Sequence, residues 1–274
     1  MEECVLPDGR LAQLWAGGAD DGPSVLVCHG TPDTRWVART GEQAARKTGL
    51  RLVCVNRPGY GRSTPHPSTT ASAADDAVAV LDALGVDRFA VLGMSVGGMY
   101  AAALTARHPD RVAALAVVAA PPETRVATGS VADAVEAARP EFEAWAASMD
   151  VTDADDRALV ARWLGGLPPE DAELLGRLPV PAVAASAREA LACHDGYLRD
   201  AALLMRDWAV DLSAIRCPTH LWFGADDERN PPATGRWWAE HIDGARLEVT
   251  PTTHLATLLA NWPSILTRLR TSLD

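Results

Sequence analysis

Residues 91–100 read VLGMSVGGMY, which sets Ser95 among glycines at 93, 97 and 98. The run before the serine, RFAVLGMS (88–95), has the pattern of a buried strand, and VGGMYAAALTARH (96–108) has that of a helix. A chain that turns from strand to helix within about one residue holds the serine in a strained conformation. Glycines two positions to either side would remove the clashes such a turn creates. The helix starting at Val96 would aim its free N–H groups and positive dipole end at the hydroxyl, where an alkoxide or a tetrahedral oxyanion would be stabilised. These ten residues alone also fit a tight turn that happens to carry a serine.

A serine hydroxyl needs a base to become a useful nucleophile. His254 lies in TPTTHLATLL (250–259), after a strand pattern and at the start of a helical one. Between Ser95 and His254, the stretch LWFGADDERNPP (221–232) carries Asp226 and Asp227 at the end of another strand pattern. Either carboxylate could orient the imidazole. The chain order Ser, Asp, His is one of the orders in which such groups assemble for acyl transfer.

These side chains can meet only if the strands before them run parallel and end at one edge. PSVLVCHG (23–30), RLVCVNRPG (51–59), RFAVLGMS and VAALAVVAA (112–120) are unbroken apolar runs rich in β-branched residues, as in strands buried on both faces. Helical patterns alternate with them: 36–48, 68–85 with Ser/Thr caps and Gly85 at its end, and 96–108 ahead of Pro109. VLPDGRLAQLW (5–15) has the alternation and the Asp-Gly of a hairpin. Strand and helix alternating in this way predict a doubly wound α/β fold with a mostly parallel, eight-stranded sheet and helices on both faces. The alternation stops at Pro121-Pro122, the chain reads as helical to about Asp211, and strand patterns return at CPTHLWFG (217–224) and ARLEVT (245–250). The predicted organisation is a first core segment at 1–121, a helical insertion at 122–211 and a second core segment at 212–274.

The 274 residues carry a net charge of −11, which argues against a nucleic-acid partner, since such binding needs clustered Lys and Arg. No apolar run approaches a membrane span, and no apolar signal segment follows the acidic start MEEC. The five cysteines are scattered without a CxxC, which reads as free thiols in a reducing, cytoplasmic setting. No metal-ligand spacing is present, so no metal or cofactor is expected. Homodimerisation stays open. Between residues 131 and 175 acids outnumber bases, which reads as a solvated helix face or as a site for an amine-bearing substrate.

Five stretches together resemble the α/β-hydrolase fold superfamily, in its serine-nucleophile branch with a helical cap: VCHGTPDT, NRPGYGRS, GMSVGG, GADDERNP and PTTH. The resemblance implies that Ser95 is the nucleophile, His254 the base and Asp227 the acid, since the family's acid usually lies three residues after a Gly and four before a Pro, as Asp227 does from Gly224 and Pro231. Asp226 is the alternate, and Glu123 a remoter one. It also implies an oxyanion hole built from the backbone N–H groups of Thr31 and Val96, and a loop-ordering role for His29. Three positions depart from the family pattern: Asp33 for a frequent Gly, Asn56 for a common Asp, and Thr253 for a frequent Gly.

The implied activity is a serine hydrolase that cleaves a small-molecule ester, lactone or thioester through an acyl-enzyme. Ser95 argues against dehalogenase or epoxide-hydrolase chemistry, which on this fold uses an Asp nucleophile. Other uses of the same triad remain: carbon–carbon bond hydrolysis or lysis, a biosynthetic tailoring reaction, a proline-iminopeptidase-like peptidase, or a ligand receptor. Candidate pocket residues are His29, Met94, Trp145 and Trp163, with Tyr60 or Arg62 as outlying contacts.

Overall fold

The chain enters through a hairpin. β1 (Glu3–Val5) and β2 (Leu11–Gly18) pair antiparallel around the turn at Asp8-Gly9. The computed structural model describes residues 2–273. The remaining core strands are β3 (Ser24–Cys28), β4 (Arg51–Val55), β5 (Phe89–Met94), β6 (Val112–Val118), β7 (Thr219–Gly224) and β8 (Arg246–Thr250). They form one eight-stranded sheet in the order β1-β2-β4-β3-β5-β6-β7-β8, with β1 and β2 antiparallel and the rest parallel. β5 is central, hydrogen-bonded to β3 and β6, and all six of its residues are buried.

Helices α1 (Trp36–Arg39), α2 (Glu42–Thr48), α3 (Thr70–Ala83) and α4 (Gly97–Arg107) follow the first strands. Thr69 caps α3 by accepting from the backbone N–H of Ser72 at 3.1 Å, and the Ser72 side chain reciprocates to the Thr69 N–H at 2.9 Å. The single helix expected over 36–48 is broken at Thr40-Gly41. A Cβ on Gly41 would lie 2.6 Å from the Trp262 ring, whose Nε1–H donates to Thr40 Oγ1 at 2.8 Å. The break admits a tryptophan from the other end of the chain, which a local pattern cannot register.

Five helices stand between β6 and β7: α5 (Val131–Ser148), α6 (Asp156–Gly165), α7 (Pro169–Gly176), α8 (Val180–Ala190) and α9 (Asp195–Leu204). After β7 come α10 (Pro232–His241) and, after β8, α11 (His254–Arg270). The two sheet faces bury separate cores. One gathers Leu26, Val91, Met99, Val117 and Phe223 under α3, α4 and α10; the other gathers Val27, Cys54, Leu92 and Trp222 under α1, α2 and α11. The inserted helices carry small cores of their own, Leu159, Val183 and Ala187 between α6 and α8, and Phe142, Ala146 and Leu198 between α5 and α9.

The five cysteines are free thiols, and burial pushes that of Cys28 up to about 12. Among the described residues no helix is long and apolar enough to cross a membrane.

Candidate active site

β5, β7 and β8 run parallel, so the residues that follow them emerge at one edge of the sheet. Ser95 follows Met94, the last residue of β5, and has φ 53°, in the left-handed region that non-glycine residues avoid. Its N–H donates to Val118 O at 2.9 Å and its carbonyl accepts from Gly98 N–H at 2.8 Å, which together hold the turn. The glycines are steric requirements. A Cβ on Gly93 would lie 2.5 Å from Gly97 O, and one on Gly97 would lie 2.1 Å from Cys28 O. The serine turn is therefore pressed against the loop after β3 as well as against its own helix.

His254 opens α11. Its Nε2 lies 3.1 Å from Ser95 Oγ and its Nδ1 lies 2.8 Å from Asp227 Oδ2. With Nδ1–H donating to the carboxylate, Nε2 is left to accept the serine proton. Asp227 is buried, and its Oδ1 accepts from the N–H groups of Arg229 at 2.9 Å and Asn230 at 3.0 Å. Burial alone would raise this carboxyl. The hydrogen bond from His254, the imidazole charge and the two backbone donors outweigh it and hold Asp227 below the ordinary carboxylate range. Asn230 Nδ2 donates to Ala119 O at 2.8 Å, tying the acid loop to the end of β6.

Asp226, one residue earlier, is exposed. Glu123 is occupied elsewhere: it accepts from Trp208 N–H at 2.6 Å and pairs with Arg125 at 3.0 Å. Of the three acids considered, Asp227 is the one that touches His254.

The loop after β3 passes over the serine. A Cβ on Gly30 would sit 3.5 Å from Ser95 Cβ. Among the described residues neither the Thr31 nor the Val96 N–H donates to a protein acceptor, so both are free for a ligand oxygen. His29 is 0% exposed. Its Nδ1–H donates to Gly30 O at 2.8 Å and its Nε2 accepts from Arg57 N–H at 3.2 Å, which fixes one neutral tautomer. Burial, with the Arg57 charge, pushes its pKa well below the ordinary imidazole value.

The pocket expectations for His29 and Met94 need correction. His29 is sealed behind the loop, and Met94, 2% exposed, belongs to the core beneath the sheet. Tyr60 is likewise buried, and Arg62 is turned outward to pair with Glu3. Trp145 and Trp163 sit with Phe142 and Tyr197 in one aromatic cluster of the inserted helices, with Phe142 and Tyr197 stacked at 3.8 Å and Trp145 37% exposed. Asp33 is partly buried, and desolvation pushes its carboxyl up to about 7.

Several acids of the insertion are neither solvated nor arrayed for an amine. Asp171, on α7, accepts from Thr253 Oγ1 at 2.6 Å and Ala256 N–H at 2.8 Å, and Glu170 Oε2 accepts from the Thr253 N–H at 2.7 Å. These carboxylates satisfy N–H groups at the start of the helix that carries His254. Glu189, on α8, binds Arg35 Nε at 3.0 Å, Trp36 Nε1 at 3.1 Å and Asn56 Nδ2 at 2.8 Å. Asp200, on α9, binds Arg57 at 2.6 Å. The sequence held one signal for one of them: Asp200 stands four residues after Gly196 and three before Leu203, on the helix stripe that these neighbours bury.

The sequence profile of the alpha/beta hydrolase fold matches residues 23–258. The pimeloyl-[acyl-carrier protein] methyl ester esterase of Chromobacterium violaceum is 34% identical over 248 residues, covering 88% of this chain and 90% of its own. An alpha/beta hydrolase fold protein from Nakamurella multipartita superposes with a TM-score of 0.70 at 27% identity, over 99% of this chain and 98% of its own. The enol-lactonase of Burkholderia xenovorans LB400 superposes with a TM-score of 0.71 over 99% of each chain, at 19% identity, a likeness of fold.

Proposed function

Because this chain belongs to the alpha/beta-hydrolase fold family and is a hydrolase, we propose that it cleaves a small-molecule carboxylic ester through an acyl-enzyme on Ser95. The observation that carries the reading is the continuous hydrogen-bonded chain from Asp227 through His254 to Ser95, with the serine at φ 53°. The Chromobacterium violaceum relative, which is named as a methyl ester esterase, adds support for an ester as the bond cleaved.

In the proposed cycle Ser95 Oγ attacks the ester carbonyl carbon while His254 Nε2 takes its proton. The carbonyl π pair moves onto oxygen, and the N–H groups of Thr31 and Val96 donate to that oxyanion, each worth about 3 kcal/mol of barrier. Collapse of the tetrahedral species breaks the C–O bond, and the imidazolium gives its proton to the departing alcohol. Water then attacks the acyl-enzyme with His254 again as base, releasing the carboxylic acid and restoring Ser95. Asp227 keeps its own charge throughout and stabilises the imidazolium that forms in each half-reaction.

The test is a series of p-nitrophenyl esters of increasing acyl length, assayed with wild type and Ser95→Ala. Turnover in wild type and its loss in the variant are expected. A folded wild type that hydrolyses none of the series, or a variant as active as wild type, would refute the reading.

A further inference from the structure

Asp200 has no place in the cycle just described, yet its side chain is almost fully enclosed. It is 2% exposed and its two oxygens take five donors. Tyr100 OH reaches Oδ1 at 2.6 Å and Arg57 Nε reaches it at 3.3 Å; Arg57 Nη2 at 2.6 Å, Tyr60 OH at 2.7 Å and Thr31 Oγ1 at 2.5 Å reach Oδ2. The donors come from the loop after β3, the loop after β4 and α4, which follows the serine. The acceptor comes from α9, far along the chain.

Arg57 carries the connection onward. Its Nη1 donates to His29 O at 2.6 Å and its Nη2 to Gly30 O at 2.9 Å, and His29 Nδ1–H adds a second donor to Gly30 O at 2.8 Å. The Gly30 carbonyl and the Thr31 N–H belong to one planar peptide and point in opposite directions. Pinning the carbonyl on one side therefore fixes the aim of the free N–H on the other. α9 itself cannot drift from this loop: Gly196 N–H donates to Gly59 O at 3.1 Å, and a Cβ on Gly59 would lie 2.6 Å from Gly196 N.

We infer that Asp200 is a positioning residue for the oxyanion hole: from the inserted helices it sets Arg57 and the Thr31 hydroxyl, and through them the direction of the Thr31 N–H. The inference rests on the serine-hydrolase reading. The insertion then contributes to transition-state stabilisation without touching substrate, and its effect falls on kcat, because the oxyanion forms after binding.

Two variants test it. Asp200→Asn keeps the shape and weakens the hold on Arg57. Thr31→Val removes only the hydroxyl and leaves the Arg57–Asp200 pair and the backbone N–H in place, so it decides the matter should the Asn variant fail to fold. Each is compared with wild type for ester kcat and KM, for the pH profile of kcat/KM, and for affinity toward an alkyl boronic acid, which forms a tetrahedral adduct on an active serine. For Asp200→Asn a fall in kcat of about 10- to 100-fold is expected, short of the loss on deleting an oxyanion donor. KM should stay within about twofold, boronate affinity should fall in parallel with kcat, and the pH profile should keep its limbs. Thr31→Val should move kcat and boronate affinity in the same direction by a smaller factor. Unchanged kcat and boronate affinity in both folded variants, or a loss seen only in KM, would overturn the positioning role while leaving the serine-hydrolase reading intact. A wild type inert to both ester and boronate would overturn the two together.

Discussion

Asp171 Oδ1, on one of the inserted helices, lies 2.6 Å from Thr253 Oγ1, immediately before His254 in the chain. The same oxygen accepts the Ala256 N–H at 2.8 Å. The histidine of the Ser95–His254–Asp227 chain is thus held from two sides, by Asp227 on its ring and by Asp171 on the flanking residues Thr253 and Ala256. Asp171→Ala strands the buried Ala256 N–H, while the Thr253 hydroxyl keeps Glu170 Oε2 at 2.9 Å, and such a loss costs about 1–3 kcal/mol. A urea titration should show a lower midpoint at unchanged slope, and kcat should fall because His254 is less firmly placed.

The acid at 227 and its neighbour at 226 make an internal control. Asp227 accepts from His254 and two backbone N–H groups; Asp226 is exposed. Asp227→Asn would present the wrong hydrogen-bonding partner to Nδ1, an exchange expected to lower kcat by about ten-thousandfold. Asp226→Asn should leave kcat within about twofold, since nothing in the proposed cycle uses it. Steady-state assays of the two variants side by side decide this; equal losses, or loss only at 226, would reassign the acid.

Asp33 supplies a pH test of stability. Its carboxyl is raised from 3.8 to about 7 in the folded chain, chiefly by desolvation. Between those values the unfolded chain has released a proton that the folded one keeps, so stability falls as pH rises through the window and the loss is complete above it. Asp33→Asn removes the ionisation and can still accept the Thr34 N–H that Oδ1 now takes at 2.7 Å. Thermal melts should give the variant a Tm at least about 2 °C above wild type at pH 8, and no advantage at pH 4. A gain independent of pH would contradict the assignment.

The turn that carries Ser95 should resist even the smallest addition. A methyl at Gly97 would meet Cys28 O at 2.1 Å, with backbone behind it that cannot yield. Gly97→Ala is expected to cost about 3 kcal/mol and to displace the loop over the serine. Circular dichroism melts and ester turnover should fall together.

The Ser95 turn, the buried strand runs and the Asp-Gly hairpin were legible because each is written in consecutive residues: Gly93, Ser95 and Gly97 around one turn, Leu26 and Val91 in unbroken β-branched runs. That His254 meets an acid at 226 or 227 was legible through strand order, since parallel strands deliver their following loops to one edge; the choice of Asp227 came from the family resemblance. What stayed hidden depends on partners far apart in sequence. Gly41 breaks a helix for a tryptophan at 262, and Asp200 answers an arginine at 57. The acids of the insertion read as surface because charge usually is surface. Asp171 and Asp200 are buried because the core offers each of them donors; the stripe of Gly196 and Leu203 marks the burial of Asp200, but neither helix records where those donors lie. His29 and Met94 were placed in the pocket by nearness to Ser95 in sequence or motif, whereas burial puts both behind the surface a ligand would meet.

The most direct measurement is the intact mass of the protein after reaction with a fluorophosphonate, followed by peptide mapping. One adduct, on the peptide containing Ser95, absent from Ser95→Ala and slowed in Asp227→Asn, is expected if the hydrogen-bonded chain activates that hydroxyl. A folded wild type that gains no mass, or gains it at another residue, would contradict it.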